Sequence, residues 1–448
     1  MIDTFELQNP WREPGYTFPE GRYIARGIFD RLLADLEKKE VTILIGSRQV
    51  GKTFLMNRLI RKLIDGGCAP FQIFYFNFDA FNLVELIQND RDFFDFIRHY
   101  GHPGQRSYVF LDEAQRVPEI GLLLKRYYDL DPNIKFIVSG SSSLQIKSQV
   151  KETLAGRKHL FELLPISYPE FLSCKGYEPG ETAMVEKFES DRYQMLLREF
   201  VLFGGYPGVV VSETPEDKIQ LLKEIYRSYI QKDISDFLKI EDIPAFNRLV
   251  RFAASQAAGL CKVSEIGKNV RLSRYFIEKY LFALEETFII AFLRPYFVNL
   301  GKALVKTPKL YFHDTGIRNA VVGQFEPLQN KADAGLLVEN FVFTELRKHL
   351  DQDRLWFYRT TAGTEVDFLY VQGDRVTPVE CKYSRGRQKS TPRAFATIAE
   401  NARLERAVVV TVDYLADKRM ETGRVLFRPA WSAYDIPELI LTHTGAIR

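Results

Sequence analysis

The chain is poor in cysteine. Its 448 residues hold only Cys68, Cys174, Cys261 and Cys381, far apart and with no C-x-x-C pair. That spacing argues against a disulfide framework or a zinc knuckle and points to a reducing compartment. A leader is not expected either. The opening MIDTFELQNPWREPGY has no basic start and no apolar core, unlike a secretory signal. No apolar run approaches the roughly 20 residues that span a bilayer. The expectation is a cytoplasmic protein with no membrane partner. Charge of one sign is scarce as well: 61 Lys and Arg stand against 58 Asp and Glu, a net charge of +3. This excludes a wholly basic chromatin-type protein and leaves local basic patches open. What is present is ordinary for globular chains, with 46% hydrophobic and 27% charged residues, enough for substantial cores. The length predicts roughly two to four domains.

The apolar run Val41–Ile45 (VTILI) reads as a strand buried on both faces. Directly after it comes Gly46-Ser47-Arg48-Gln49-Val50-Gly51-Lys52-Thr53. This fits G-x-x-x-x-G-K-[ST] in the context that motif requires, with a strand before and a helix, Thr53–Asp65, after. Gly46 and Gly51 let the backbone wrap a phosphate with its N–H groups inward. The helix N-terminus adds partial positive charge. Lys52 reaches the β- and γ-phosphates of ATP, and the Thr53 hydroxyl ligates Mg²⁺. Further strands are expected at Gln72–Phe78, Ser107–Leu111 and Ile134–Val138. The second of these delivers Asp112-Glu113. Asp112 would hold the Mg²⁺ and Glu113 would polarise the attacking water. Ser139 and Ser141, in the turn after the next strand, are candidates for touching the γ-phosphate; a plain Ser-rich loop is the other reading. Leu154-Ala-Gly-Arg157 precedes a strand at His159–Leu163.

These motifs, G-x-x-x-x-G-K-T, VFLDE, SGSSS and LAGR, resemble in order and spacing the AAA+ ATPases. The resemblance is strongest to little-characterised bacterial and archaeal ATPases with a C-terminal nuclease-like domain, and it runs from about Tyr23 onward. It implies that Arg157 is an arginine finger reaching a neighbouring subunit's phosphate, and hence a homo-oligomer; an ordinary ion pair is the competing reading. Gly205-Tyr206-Pro207 resembles the G-x-P element that sets a proline against the adenine, which places Pro207 among the nucleotide contacts. A simple Gly-Pro turn fits the same residues.

Asp191–Leu238 reads as helical with a break at the Gly-Pro element; Leu221, Leu222, Ile225, Tyr229 and Ile230 keep helical spacing. Further on, Val263–Val270, begun by Ser264 as cap, and Arg274–Glu286 read as two helices joined by a tight turn. Strand-like pieces follow at Phe288–Leu293 and Lys309–His313. This order suits a winged helix-turn-helix that sets Arg271, Arg274 and Lys279 against DNA. Glu278, Glu285 and Glu286 on the same helix would repel phosphates, so a protein-binding or packing role stays open.

The last third predicts a helix at Leu336–Leu350 bearing Glu339, a strand at Leu355–Arg359, a strand at Glu365–Val371 bearing Asp367, and a strand at Arg375–Lys382 bearing Glu380 and Lys382. Twelve residues separate Asp367 from Glu380, a fitting length for a hairpin. This order resembles the restriction-endonuclease-like core. It implies that Glu339, Asp367 and Glu380 hold Mg²⁺ or Mn²⁺ and that Lys382 steadies the nucleophile or the phosphate. Arg385, Arg387, Lys389 and Arg393 would line its rim.

The expected fold class is α/β: a P-loop AAA+ core (18–165), a helical lid (166–240), a winged helix (241–314) and a C-terminal restriction-endonuclease-like α/β domain (315–448). The leading functional expectation is an ATP-driven switch or remodeller acting on DNA, with a nuclease or nuclease-derived module. The alternative is a signalling-type ATPase that controls protein partners, with the C-terminal domain as a scaffold.

Overall fold

The computed structural model describes every residue except 1, 20, 22, 103, 132, 141–152, 229–241, 298–305, 361–362, 384–388, 401, 422 and 443–448. Ser141, Tyr229, Ile230, Arg385 and Arg387 therefore lie outside the described residues. The chain divides into two compact units. One is Met1–Leu164 with Glu286–Phe288; the other is Pro165–Glu285 with Ile289–Arg448.

Short apolar runs build the sheet of the first unit: β1 (Val41–Gly46), β2 (Ile73–Asn77), β3 (Ser107–Asp112), β4 (Ile134–Gly140) and β5 (Lys158–Leu163). Their order is β2-β3-β4-β1-β5, and every pairing is parallel. Every residue of β1, β3 and β4 is buried. Burial on both faces is why these strands read as unbroken apolar runs rather than as alternation. Helices Lys52–Asp65, Asp90–Tyr100 and Ile120–Leu130 connect the strands. Phe93 and Tyr127 stack at 4.8 Å in a core shared with Phe76, Val109 and Phe136. All parallel strands end on one edge, where open α/β sheets hold their ligands.

The edge strand β2 is covered by side chains from the first residues of the chain. Asn9 donates to the Tyr75 carbonyl and accepts from the Tyr75 N–H, both at 2.8 Å. Gln8 accepts from the Asn77 N–H at 2.8 Å, and Arg12 donates to the Ile73 carbonyl at 2.8 Å. An open strand edge invites pairing with another chain; here side chains satisfy it. Phe5, in the helix Ile2–Gln8, is buried against Phe96 at 4.9 Å.

The second unit begins with helices Tyr168–Cys174, Ser190–Phe203, Pro207–Val211 and Pro215–Ser228. Helices Ile243–Ser255, Val263–Val270 and Arg274–Glu286 follow. Ser264 does not cap its helix. Lys262 is extended and stands at the cap position, two residues earlier, and the helix starts at Val263. Strands β6 (Ile290–Leu293) and β7 (Lys309–Phe312) pair antiparallel. Then come helices Thr315–Val322 and Ala334–His349.

A six-stranded mixed sheet completes this unit: β8 (Leu355–Arg359), β9 (Glu365–Gln372), β10 (Arg375–Lys382), β11 (Arg406–Thr411), β12 (Ala416–Arg419) and β13 (Arg424–Pro429). The order is β12-β13-β11-β10-β9-β8. Strands β8, β9 and β10 pair antiparallel, while β10, β11 and β13 pair parallel. A parallel step needs a crossover, and the helix Arg393–Ala399 lies within the one from β10 to β11. Among the described residues, no helix is long and apolar enough to cross a membrane.

Candidate functional site

Strand β1 ends at Gly46, and the turn Ser47–Gly51 leads straight into the helix that Lys52 opens. Two backbone positions shape this turn. Gly51 sits at φ +98°, where a side chain would be strained. A Cβ on Gly46 would lie 2.1 Å from the Leu163 carbonyl oxygen of β5, so only glycine fits there. Ser47 and Val50 are buried, Arg48 is half-buried, and Gln49 is exposed at φ +60°. Lys52 is 6% exposed. Its ammonium donates to the Gly46 carbonyl at 2.9 Å and the Ser47 carbonyl at 2.8 Å. Buried Arg26 braces the same loop: its guanidinium donates to the Val50 carbonyl at 3.0 Å and to the Leu164 carbonyl at 2.6 Å.

Strand order brings the acids to the loop. Asp112 ends β3, fully buried, and its carboxylate accepts from three hydroxyls. These are Thr53 at 2.7 Å, Tyr75 of β2 at 2.7 Å, and Ser139 of β4. Burial first, and then the Asp112 charge, push the Tyr75 phenol far above its ordinary pKa, so it stays a donor. Glu113 follows at φ +55°, and the Gln115 amide donates to its carboxylate. Sequence reasoning missed Tyr75 because it sits inside an apolar run that reads only as core.

Arg157 lies at the other end of the sheet. In the parallel β1–β5 pairing, Gly46 faces Leu163 while Val41 faces Lys158, so Arg157 and the phosphate loop are on opposite edges. Its guanidinium meets Asp129 at 3.1 Å and lies 5.9 Å from the Tyr128 ring centre. Pro207 opens the helix Pro207–Val211 in the second unit. The glycines before it pack on Asp314: the Gly205 N–H donates to that carboxylate at 2.7 Å.

The C-terminal acids converge, but on a lysine. Lys309 of β7 is 3% exposed. Its ammonium contacts Glu339 at 2.9 Å, Glu365 at 2.7 Å and Asp367 at 3.0 Å. The Tyr311 hydroxyl donates to Glu339 at 2.7 Å, and the Cys381 N–H donates to Asp367 at 2.9 Å. Arg359 holds the second oxygen of Glu365 at 2.8 Å. Burial, and then the Asp367 charge, raise both Glu339 and Glu380 well above the usual carboxylate range. One Glu380 oxygen is buried with no hydrogen-bond partner. Lys382 turns outward to the Ser390 carbonyl at 3.3 Å and hydroxyl at 3.2 Å.

The expected metal centre at Glu339, Asp367 and Glu380 is corrected by this geometry. Among the described residues, no group of three or more His, Cys, Asp or Glu side chains is placed to hold a metal ion. The reason is Lys309, whose charge already occupies the space between Glu339 and Asp367. The signal for it was a lysine opening the apolar strand KLYF, with Tyr311 on the same face.

Residues 38–172 match the family described as AAA domain. Residues 194–328 match a domain of unknown function (DUF8612), and residues 334–431 match another (DUF4143). An uncharacterized protein of Haemophilus influenzae is 24% identical over 400 residues, covering 87% of this chain and 94% of the relative. One from Methanocaldococcus jannaschii is 26% identical over 339 residues, covering 74% and 72%. Among solved structures, the Walker-type ATPase of Pyrococcus abyssi aligns with a TM-score of 0.43 and 14% identity, covering 69% of this chain and 99% of that one. Cdc6p from Pyrobaculum aerophilum aligns with a TM-score of 0.31 and 13% identity, covering 63% and 91%. The AAA match spans the helix that opens with Lys52 and Thr53 and the strand that ends at Asp112, so residues 38–172 form an AAA-type P-loop ATPase domain.

Proposed function

We propose that this chain hydrolyses ATP and uses the nucleotide cycle to switch its hold on nucleic acid, DNA in the first instance. The observation that carries the ATPase reading is the 2.7 Å bond between Thr53 and Asp112. A hydroxyl and a carboxylate from separate elements meet beside a phosphate loop, and hard oxygen donors of this kind suit Mg²⁺. Thr53 and Asp112 would hold that ion, which when bound neutralises phosphate charge. Loop N–H groups and Lys52 bind the phosphates, with Lys52 leaving the Gly46 and Ser47 carbonyls to do so. Glu113, held by Gln115, orients and polarises the attacking water. Ser139 positions Asp112. Arg157 acts in a second copy's site, since in its own unit it lies on the opposite edge of the sheet.

The domain plan that serves this reading is a core at 18–165, a lid at 166–240, a winged helix at 241–314 and a nuclease-derived module at 315–448. Nucleic-acid binding is supported by a cavity of about 740 Å³ in the second unit. Tyr296, Phe297, Phe357 and Tyr358 line it together with Lys306 and Arg359. Aromatic faces beside cations suit unstacked bases and their phosphates. No metal-dependent step is assigned to the C-terminal acids, because Lys309 stands among them.

The test is ATP turnover together with oligonucleotide binding, read by fluorescence anisotropy in ATP and in ADP. Turnover lost in Lys52→Ala, with DNA affinity that differs between the two nucleotides, supports the proposal. Normal turnover in Lys52→Ala overturns the site assignment. DNA affinity that does not fall with salt overturns the phosphate-contact reading.

A second reading rests on the helix Arg274–Glu286. Tyr275 is 67% exposed and Phe282 is 51% exposed, while Arg274 is paired with Glu278 at 2.7 Å. Exposed aromatics of this kind favour a protein partner. That suits a signalling switch whose C-terminal domain is a scaffold, and nucleotide-dependent capture of protein without DNA binding would select it.

A further inference from the structure

The C-terminal acid cluster has its own cation. Glu339 comes from the helix Ala334–His349, Glu365 and Asp367 from β9, Glu380 from β10, and Lys309 from β7. Strand alternation puts Glu365 and Asp367 on one face of β9. The β9–β10 hairpin, with Phe368 facing Val379, brings Glu380 beside Asp367. Four carboxylates drawn together in a buried place repel one another unless a positive group stands between them. Lys309 does so with three ion pairs of 2.7–3.0 Å. It is held there by more than charge. Its backbone is fixed in the β6–β7 ladder, where Lys309 pairs with Leu293, and its ammonium lies 5.8 Å from the Phe357 ring centre. Two further oxygens are committed, Asp367 Oδ2 to the Cys381 N–H and Glu365 Oε2 to Arg359. Tyr311 shares Glu339 Oε1 with Lys309, and one Glu380 oxygen is buried with no hydrogen-bond partner. Lys382, the lysine that a metal nuclease would aim at the reacting phosphate, faces Ser390 instead.

We propose that the Lys309 ammonium is the resident cation of this cluster, standing where a nuclease of this plan would hold a divalent metal, so that the C-terminal module engages its ligand without metal. The claim goes beyond the ATPase reading and does not depend on it. Only the identity of the ligand, nucleic acid, rests on the function proposed above. The chemistry is a substitution of one cation for another. An ammonium satisfies three carboxylates through three N–H donors, but it neutralises one charge rather than two and cannot activate a bound water as a metal does.

The experiment titrates Mn²⁺ alone into the nucleotide-free full chain carrying Asp112→Asn, which disables the ATP-site metal position. Binding is read from the electron paramagnetic resonance signal of free Mn²⁺. No Mn²⁺ binding sensitive to a further Asp367→Asn change is expected while Lys309 is present. Adding Lys309→Met should create such a site, at least tenfold tighter than the parent, and Asp367→Asn should abolish it. Mn²⁺ bound with Lys309 intact and lost on Asp367→Asn overturns the proposal, as does a folded Lys309→Met variant that gains no Mn²⁺. If Lys309→Met fails to fold, the comparison between the Lys309-containing proteins decides. Oligonucleotide binding is then measured in EDTA and in Mg²⁺. Equal binding supports metal-free engagement, and binding only in Mg²⁺ that Asp367→Asn removes overturns it. Absence of binding in both sinks the nucleic-acid reading, while the Mn²⁺ titration still decides the lysine.

Discussion

Thr53 and Asp112 come from different elements, 59 residues apart, and share a 2.7 Å hydrogen bond. The helix that opens with Lys52 and the strand that ends at Asp112 are thereby joined by a side-chain bond. Thr53→Ala removes the hydroxyl and is expected to lower ATP turnover by about 10²–10³, the scale for losing one preorganised polar contact at a reacting centre. Glu113→Gln should retain nucleotide and lose about 10²–10⁴ in turnover. Steady-state phosphate release and binding of a fluorescent ATP analogue check both. Loss of nucleotide binding in Glu113→Gln would count against its role as base.

Tyr75 should matter to the same carboxylate. Tyr75→Phe deletes a 2.7 Å bond to a buried charge. The expected cost is about 1.5–3 kcal/mol of stability, with a higher Mg²⁺ concentration needed for half-maximal turnover. Denaturant unfolding and a Mg²⁺ titration of the ATPase measure the two effects.

Arg157 predicts a split result. Its partner Asp129 is about half exposed and Arg157 itself is 36% exposed, so Arg157→Ala should change stability by less than about 0.5 kcal/mol. If it completes a second copy's site, turnover falls while ATP binding holds, and wild-type turnover per subunit rises with protein concentration. Unchanged turnover would leave it as the ion pair with Asp129.

A pH effect centres on Asp35, 1% exposed. It accepts from Thr42 at 2.6 Å, contacts the His159 ring at 2.7 Å and meets Lys135 at 3.5 Å. Burial raises its pKa, but the Thr42 hydroxyl, Lys135 and His159 outweigh burial and hold it below the ordinary value. A lowered folded-state pKa means that the stabilisation is complete above the unfolded value of about 3.9 and disappears as pH falls through the folded one. Asp35→Asn should cost about 3 kcal/mol at pH 7 by stranding Lys135, and the gap to wild type should close on acidification below about pH 4. Unfolding midpoints from pH 7 down to about pH 2 show whether it does.

Gly204 offers a steric test of the segment before Pro207. It sits at φ +75°, and a Cβ there would lie 2.2 Å from an Asp314 oxygen. Gly15, at φ +83°, has nothing within 4 Å. Gly15→Ala should cost only backbone strain, about 1–2 kcal/mol. Gly204→Ala adds an overpacking cost of about 1–3 kcal/mol. Equal costs in denaturant would mean that the Asp314 contact is not tight.

The contiguous parts of this protein were readable in advance. Gly46–Thr53 is one contiguous stretch from strand end to helix start, and β8 and β10 run over the residues expected for them, Leu355–Arg359 and Arg375–Lys382. The fold class followed from buried runs that alternate with helices. What escaped was long-range and polar. Lys309 is 58 residues from Asp367, and a lysine opening an apolar strand marks an unusual position without telling that it will face three acids. Tyr75 hides in the same way, since only the order β2-β3-β4 sets its hydroxyl on Asp112. Strands β12 and β13 escaped because ADKR is charged and RVLFRP is short, and their pairing is decided by neighbours rather than by their own residues.

Arg26 gives the first unit a further property. One guanidinium grips a carbonyl inside the phosphate loop and the carbonyl of Leu164, where the chain leaves that unit. Leu163, one residue earlier, presses its own carbonyl against Gly46. The exit of the chain is therefore geared to the loop. A tug on the backbone at residue 164 reaches the loop through two hydrogen bonds, and a loop that shifts to admit a phosphate pushes back along the same route.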